Sequence, residues 1–151
     1  MTHPLRRLWY ALRLCLLAPA AASAAVLADA DARAVRQVVQ AQLDAFAADD
    51  GERAFSFASE SIRAQFGDAT TFMAMVRSGY PMVVRPASVS FFQPQGDDAV
   101  DRAPASVQQM VRLRDREGRL WMATYLLERQ RGGGWRISGC VVTADSGKSF
   151  T

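Results

Sequence analysis

Gly132-Gly133-Gly134-Trp135-Arg136-Ile137-Ser138-Gly139-Cys140-Val141-Val142 decides how the rest of this chain is arranged. The three glycines predict a turn, and the aromatic-led apolar run after them predicts the strand that closes a sheet. Plain alternation sets Trp135, Ile137, Gly139 and Val141 on one face. Arg136, Ser138, Cys140 and Val142 fall on the other. Trp135, Arg136, Gly139 and Cys140 form a structural signature with no catalytic motif in it.

Upstream of the glycines, residues 119–131 read as a long strand. It pairs as a hairpin with residues 107–114 across the turn Asp115-Arg116-Glu117-Gly118. Both faces of the long strand are apolar at the centre: Trp121, Ala123, Tyr125 and Leu127 on one side, Leu120, Met122, Thr124 and Leu126 on the other. Helices cover one face of a sheet, so the second face must meet a ligand cavity, a partner subunit or more of the chain. Residues 82–92 also read as extended, and residues 93–105 as a polar loop with room for a short strand.

The first half of the chain reads as helical. Val35, Val38, Val39, Gln42 and Phe46 share a face, with Asp29 or Asp31 as cap and Asp50-Gly51 as stop. Residues 52–66 predict a second helix with a break near Ser59, and Gly67 ends it. Asp68 then caps a third helix carrying Phe72, Val76 and Tyr80, which Pro81 stops. Three helices followed by a curved antiparallel sheet of about four strands is an α+β arrangement.

The N-terminus reads as a separate segment. Arg6-Arg7, the apolar run 8–20 and Ala22-Ser23-Ala24 have the three-part layout of a secretory signal peptide over residues 1–24. The run is too short to span a bilayer and is interrupted by Arg13. The mature chain is therefore expected in the periplasm or secreted, with no membrane attachment after cleavage. Cleavage removes Arg6, Arg7 and Arg13 and no acid, taking Lys+Arg from 18 to 15 against 15 Asp+Glu. The basic charge belongs mainly to the leader, and nothing remaining favours nucleic acid.

The one histidine, His3, leaves with the leader. That excludes Ser-His-Asp catalysis and His-ligated metal from the mature chain, and one remaining cysteine excludes an internal disulfide. No catalytic residue, metal site or cofactor is expected. Acids capable of proton transfer need a shifted pKa in an apolar pocket. Asp44 points away from its helix stripe, and Asp115, Glu117, Asp97, Asp98, Asp101 and Glu128 sit in turns, loops or strand ends.

A resemblance becomes specific once these elements are in order. Gln42-Leu43-Asp44-Ala45-Phe46, Asp50, Ala54-Phe55, Ala58-Ser59, Ile62, Phe66-Gly67, Phe72, Met75-Val76 and Tyr80 make one ordered pattern. With Trp135 to Cys140 closing it, the sequence resembles the DUF4864 family of small exported bacterial proteins, over roughly residues 31–142. Glu60 departs from that pattern, where a proline is common. The resemblance implies one domain over residues 25–151 and no particular reaction. The element order is also similar to the NTF2-like, cystatin-like cone, which implies a cavity between the helices and the concave sheet face.

Five residues are candidates for such a pocket. Gln42 interrupts an apolar stripe, as either a core amide tied to strand backbone or a pocket wall. Tyr80, Trp121 and Tyr125 are amphipathic aromatics, with core packing as the plainer reading. Arg85 could anchor an anionic ligand, or simply occupy a surface strand. Cys140 reads as a small buried hydrophobe. The leading functional expectation is a non-catalytic exported binding or assembly module, dimeric through the sheet. The alternative is a small-molecule pocket with weak enzymatic activity at most.

Overall fold

The computed structural model describes residues 27–97 and 105–147. The leader expected over residues 1–24 and the acids Asp98 and Asp101 lie outside the described residues. Among the described residues four helices come first: α1 (Asp29–Ala47), α2 (Gly51–Ser56), α3 (Glu60–Phe66) and α4 (Ala69–Gly79), then a single 3₁₀ turn at Pro81–Val83. Five strands follow: β1 (Ser88–Phe91), β2 (Gln95–Gly96), β3 (Ser106–Arg114), β4 (Leu120–Arg129) and β5 (Trp135–Ala144). All pair antiparallel in the order β1-β3-β4-β5, with β2 also lying along β3. The architecture is α+β, helices on one side of an open sheet. None of the described helices is long and apolar enough to cross a membrane.

The helix boundaries follow local chemistry. Asp50 caps α2 by accepting from Arg53 N at 3.1 Å, rather than merely stopping α1. Ser59 caps α3 through Ile62 N, and Asp68 caps α4 through Thr71 N at 2.7 Å. Gly67 ends α3 at φ +80°, a left-handed turn that other residues adopt only with strain. The break near Ser59 has a tertiary purpose. Ser59 N donates to Ile137 O at 2.8 Å and Ile137 N to Phe57 O at 2.9 Å, so the gap between α2 and α3 covers the first part of the β5 edge.

The expected cap of α1 is a correction. Ala28 stands at that position without a side-chain bond, and Asp31 turns to the sheet instead. Its carboxylate accepts from Arg129 at 2.7 Å and from Trp135 Nε1 at 3.2 Å. The Arg129 hydrogen bond is the chief reason that the Asp31 carboxyl titrates below its usual range. Residues 82–92 also differ from expectation. The chain stays coiled through Val84 and becomes strand only at Ser88, because Pro81 and Pro86 withhold the N–H groups a ladder needs.

One irregularity re-sorts the faces of β5. The register with β4 slips between Leu126 and Leu127, pairing Leu126 with Gly139 but Leu127 with Ile137. Ser138 is the extra residue of a β-bulge, and a bulge reverses the alternation beyond it. Trp135 and Ile137 face the helices as read from the sequence. After Ser138 it is Cys140 and Val142 that face inward, paired with Tyr125 and Ala123, while Gly139 and Val141 face outward. The alternation expected through Val142 is corrected at this point.

The core lies between the helices and the inner face. Val35, Val39, Leu43 and Phe46 of α1 meet Val107, Val111 and Leu113 of β3 and Ala123, Tyr125 and Leu127 of β4. Phe72 is its aromatic centre, with Phe55, Phe66 and Phe46 at ring separations of 5.2, 5.7 and 6.2 Å.

Candidate functional site

Between the helices and the inner sheet face lies a cavity of about 270 Å³. Gln42 and Phe46 of α1, Phe72 and Val76 of α4, and Tyr80 just beyond α4 form its roof. Tyr125 of β4 with Ile137, Gly139 and Cys140 of β5 form its floor. The side wall is α3, through Ile62, Gln65 and Phe66. Helix α3 has no fully buried side chain, so it stands between the cavity and solvent with its apolar residues half covered. No charged side chain is among the lining residues.

Polar atoms at this wall are few and each is definable. Gln42 is buried, and its Nε2 donates to Ala54 O at 3.2 Å. That bond satisfies a carbonyl in the last turn of α2, a group the helix itself leaves open. The amide therefore ties helix to helix, rather than helix to strand, while also lining the cavity. Tyr125 is 1% exposed, and its Oη has no hydrogen-bond partner. The Cys140 thiol is beside it, a weak donor that makes no bond of ordinary geometry to it. Burial raises the Tyr125 phenol well above its ordinary value and pushes the Cys140 thiol up to about 12. Both groups stay protonated near neutral pH.

Tyr125 also sits in a polar row that crosses three strands, Gln109 to Tyr125 to Cys140. Gln109 is fully buried. Its Nε2 donates to Phe92 O at 2.7 Å and Met110 O at 2.9 Å, bracing the jog between β1 and β2. Its Oε1 has no partner. The sequence offered a signal for Gln109, an amide within an apolar alternation, of the same kind that marked Gln42. For the bulge that turns Cys140 inward it offered none.

The five sequence candidates divide between two places. Gln42, Tyr80 and Tyr125 line the cavity, whereas Arg85 and Trp121 line a charged surface cleft near the β3–β4 turn. Arg85 lies in the loop before β1, not on a strand. It donates to Ala47 O at 3.0 Å and Asp49 at 2.6 Å, so its guanidinium closes the C-terminus of α1. Trp121 donates through Nε1 to Asp115 at 2.9 Å. Asp115 itself sits in the expected turn but is buried. That indole bond is the largest of the causes holding its carboxyl below the usual range, followed in the same direction by bonds from Arg119. Of the signature residues, Trp135 is buried over Arg129, Arg136 is half-buried, and Gly139 and Cys140 reach the cavity. Among the described residues no three His, Cys, Asp or Glu are grouped to hold a metal ion.

Helices on one face of an antiparallel sheet, with an uncharged cavity between the layers, make this a small α+β protein. The family model described as "Domain of unknown function (DUF4864)" matches residues 28–150, and the chain belongs to that family. No curated protein and no solved structure matches it.

Proposed function

We propose that the protein is a non-catalytic binding protein that takes a small, mostly apolar molecule into the cavity between helices and sheet. The cavity itself carries this reading, about 270 Å³ of space whose lining residues include none that is charged. An apolar lining with a few convergent polar groups is the usual make-up of a ligand site. Chemistry is disfavoured by the same wall, since the phenol and thiol are held protonated and no carboxylate joins them. With the leader read at residues 1–24, binding takes place in the periplasm or outside the cell.

The test is native mass spectrometry on protein released gently from its own envelope fraction. The expected spectrum shows additional mass in the small-molecule range that is lost on unfolding. A bare chain that also fails to take up a compact apolar probe such as indole would end this reading.

A second reading, assembly of two copies through the outer sheet face, is favoured by one observation. Leu126 and Val141 are 48% and 62% exposed on that face, beside half-buried Met110 and Met122. Sedimentation should then show a dimer, and a monomer at high micromolar concentration would remove this reading.

A further inference from the structure

We propose that two copies of the chain pair antiparallel along the free half of β5, Cys140 to Ala144, so that each sheet continues into the other. This contact lies at the sheet edge, apart from the cavity, and differs from stacking of the outer faces.

Backbone direction defines the surface. β5 is the last strand of the sheet, so one of its sides has no strand beside it. The first half of that side is covered by the chain itself. Ile137 N donates to Phe57 O at 2.9 Å and Ile137 O accepts from Ser59 N at 2.8 Å, in the gap between α2 and α3. After the bulge, pairing with β4 runs without a break from Gly139 to Ala144. Asp145 N donates to Leu120 O at 2.9 Å, and bonding direction alternates along an antiparallel ladder. Thr143 and Val141 therefore bond to β4 as well. Ala144, Val142 and Cys140 aim their N–H and C=O groups away from it, and no described residue bonds to those groups.

Nothing in the stretch guards it. Sheet edges are commonly blunted by shortness, proline or charge. At the opposite edge, β1 has 4 residues and stands between Pro86 and Pro94. Gly139-Cys140-Val141-Val142-Thr143-Ala144 has neither proline nor charge, and Val141, Thr143 and Ala144 are exposed. Its β-branched run Val-Val-Thr favours an extended chain.

A second copy fits because the stretch matches itself. A two-fold axis at Val142 sets Val142 opposite Val142 of the second copy and Cys140 opposite its Ala144, so each free N–H meets a free C=O. Val141 then lies beside Thr143 of the second copy, a β-branched pair on the outer face. The lengths agree too. In this register Gly147 stands opposite Ile137 of the second copy, where the α2–α3 gap already occupies the edge. β5 ends before that point, at Ala144, and Gly147 breaks the extended chain with φ +66°. Asp145, the nearest charge along the strand, falls opposite Gly139, and Arg112 of its own chain holds its carboxylate at 2.7 Å. The pairing therefore brings no unbalanced charge to the edge.

Sedimentation of the purified protein from about 5 to 500 µM, with amide exchange at both ends of that range, tests the pairing. A short edge contact is smaller than a standard interface, so the dimer should form towards the upper end. There the amides of Cys140, Val142 and Ala144 should exchange roughly tenfold more slowly than in the dilute protein. Those of Val141 and Thr143, already bonded to β4, should change little. Val142→Pro removes an outward N–H that β4 does not use, so it should keep the fold by far-UV circular dichroism and abolish the dimer. A monomer throughout the range would overturn the proposal and leave the edge to a strand from a different protein. A dimer whose three outward amides stay unprotected, or one that survives in folded Val142→Pro, would also overturn it by moving the contact to another surface. The exchange measurement uses the unmodified protein and decides the matter even if Val142→Pro fails to fold.

Discussion

Tyr125 carries a hydroxyl that the free protein leaves without a partner, and this makes an unusual mutational outcome. Removing a buried polar group normally costs stability, but here the group makes no bond to lose. Tyr125→Phe should leave unfolding free energy unchanged or raise it by about 1 kcal/mol, read as a urea midpoint shift at constant m-value. A loss of more than that would show that the hydroxyl is bonded in solution. Cys140 and Tyr125 together predict a dependence on alkaline pH. Both hold their protons more tightly folded than unfolded, where the ordinary values are 9.0 and 10.0. Below about pH 8 both are almost fully protonated in both states and contribute almost no slope. Above it the unfolded chain binds fewer protons than the native one, so stability falls as pH rises towards 12. Urea midpoints taken across that range should decline, and Cys140→Ala should flatten the lower part of the decline. By the same protonation argument, alkylation of native Cys140 at about pH 8 should be far slower than that of an exposed thiol.

Helix α3 is the element on which binding should register. Its Ile62 and Phe66 line the cavity, yet none of its side chains is fully buried, so it has fewer apolar partners than α1 or α4. Local opening follows such differences in burial. Amide exchange over Glu60–Phe66 should therefore be faster than in the middle of α1, and should slow when indole fills the cavity. Equal protection with and without the probe would mean that α3 is held by something other than the cavity wall. The β5 bulge acts at the same scale. One extra residue, Ser138, turns Cys140 towards Tyr125 and puts Val141 on the outer face. A single irregularity thus shapes both the cavity floor and the exposed apolar patch.

At the scale of the whole molecule the two sides of the sheet are separate. The inner face meets the helices, and the outer face presents Leu126 and Val141 beside Met110 and Met122. The Arg112–Asp145 ion pair at 2.7 Å and Arg112 over Phe92 cover one end of this outer face. For a dimer formed there, Leu126→Asp with Val141→Asp should give monomers in sedimentation. Indole affinity should stay within about twofold of the unmodified protein, because neither residue lines the cavity. A large loss of affinity in that variant would mean that the two faces are coupled.

The order of elements was legible because it depends on local signals. Periodicity placed α1 and α4, Asp68 and Gly67 marked helix ends, and the turn at Asp115 with the three glycines divided β3, β4 and β5. Gln42 and Tyr125 were legible as polar atoms on apolar faces, which raise the question of a partner wherever they occur. What each atom meets depends on residues far away in the chain. Ile137 bonds to the break between α2 and α3, Arg85 reaches back to the end of α1, and Asp31 turns from its own helix to β4 and β5. The bulge at Ser138 is likewise fixed by pairing with β4, since alternation alone carries no record of an inserted residue. Sequence by itself therefore determined the family, the α+β class and the lack of histidine in the chain after His3. The tertiary structure decided that Gln42, Tyr80, Tyr125 and Cys140 share one uncharged cavity while Arg85 and Trp121 do not, because a cavity is a property of surfaces brought together and not of any stretch of chain.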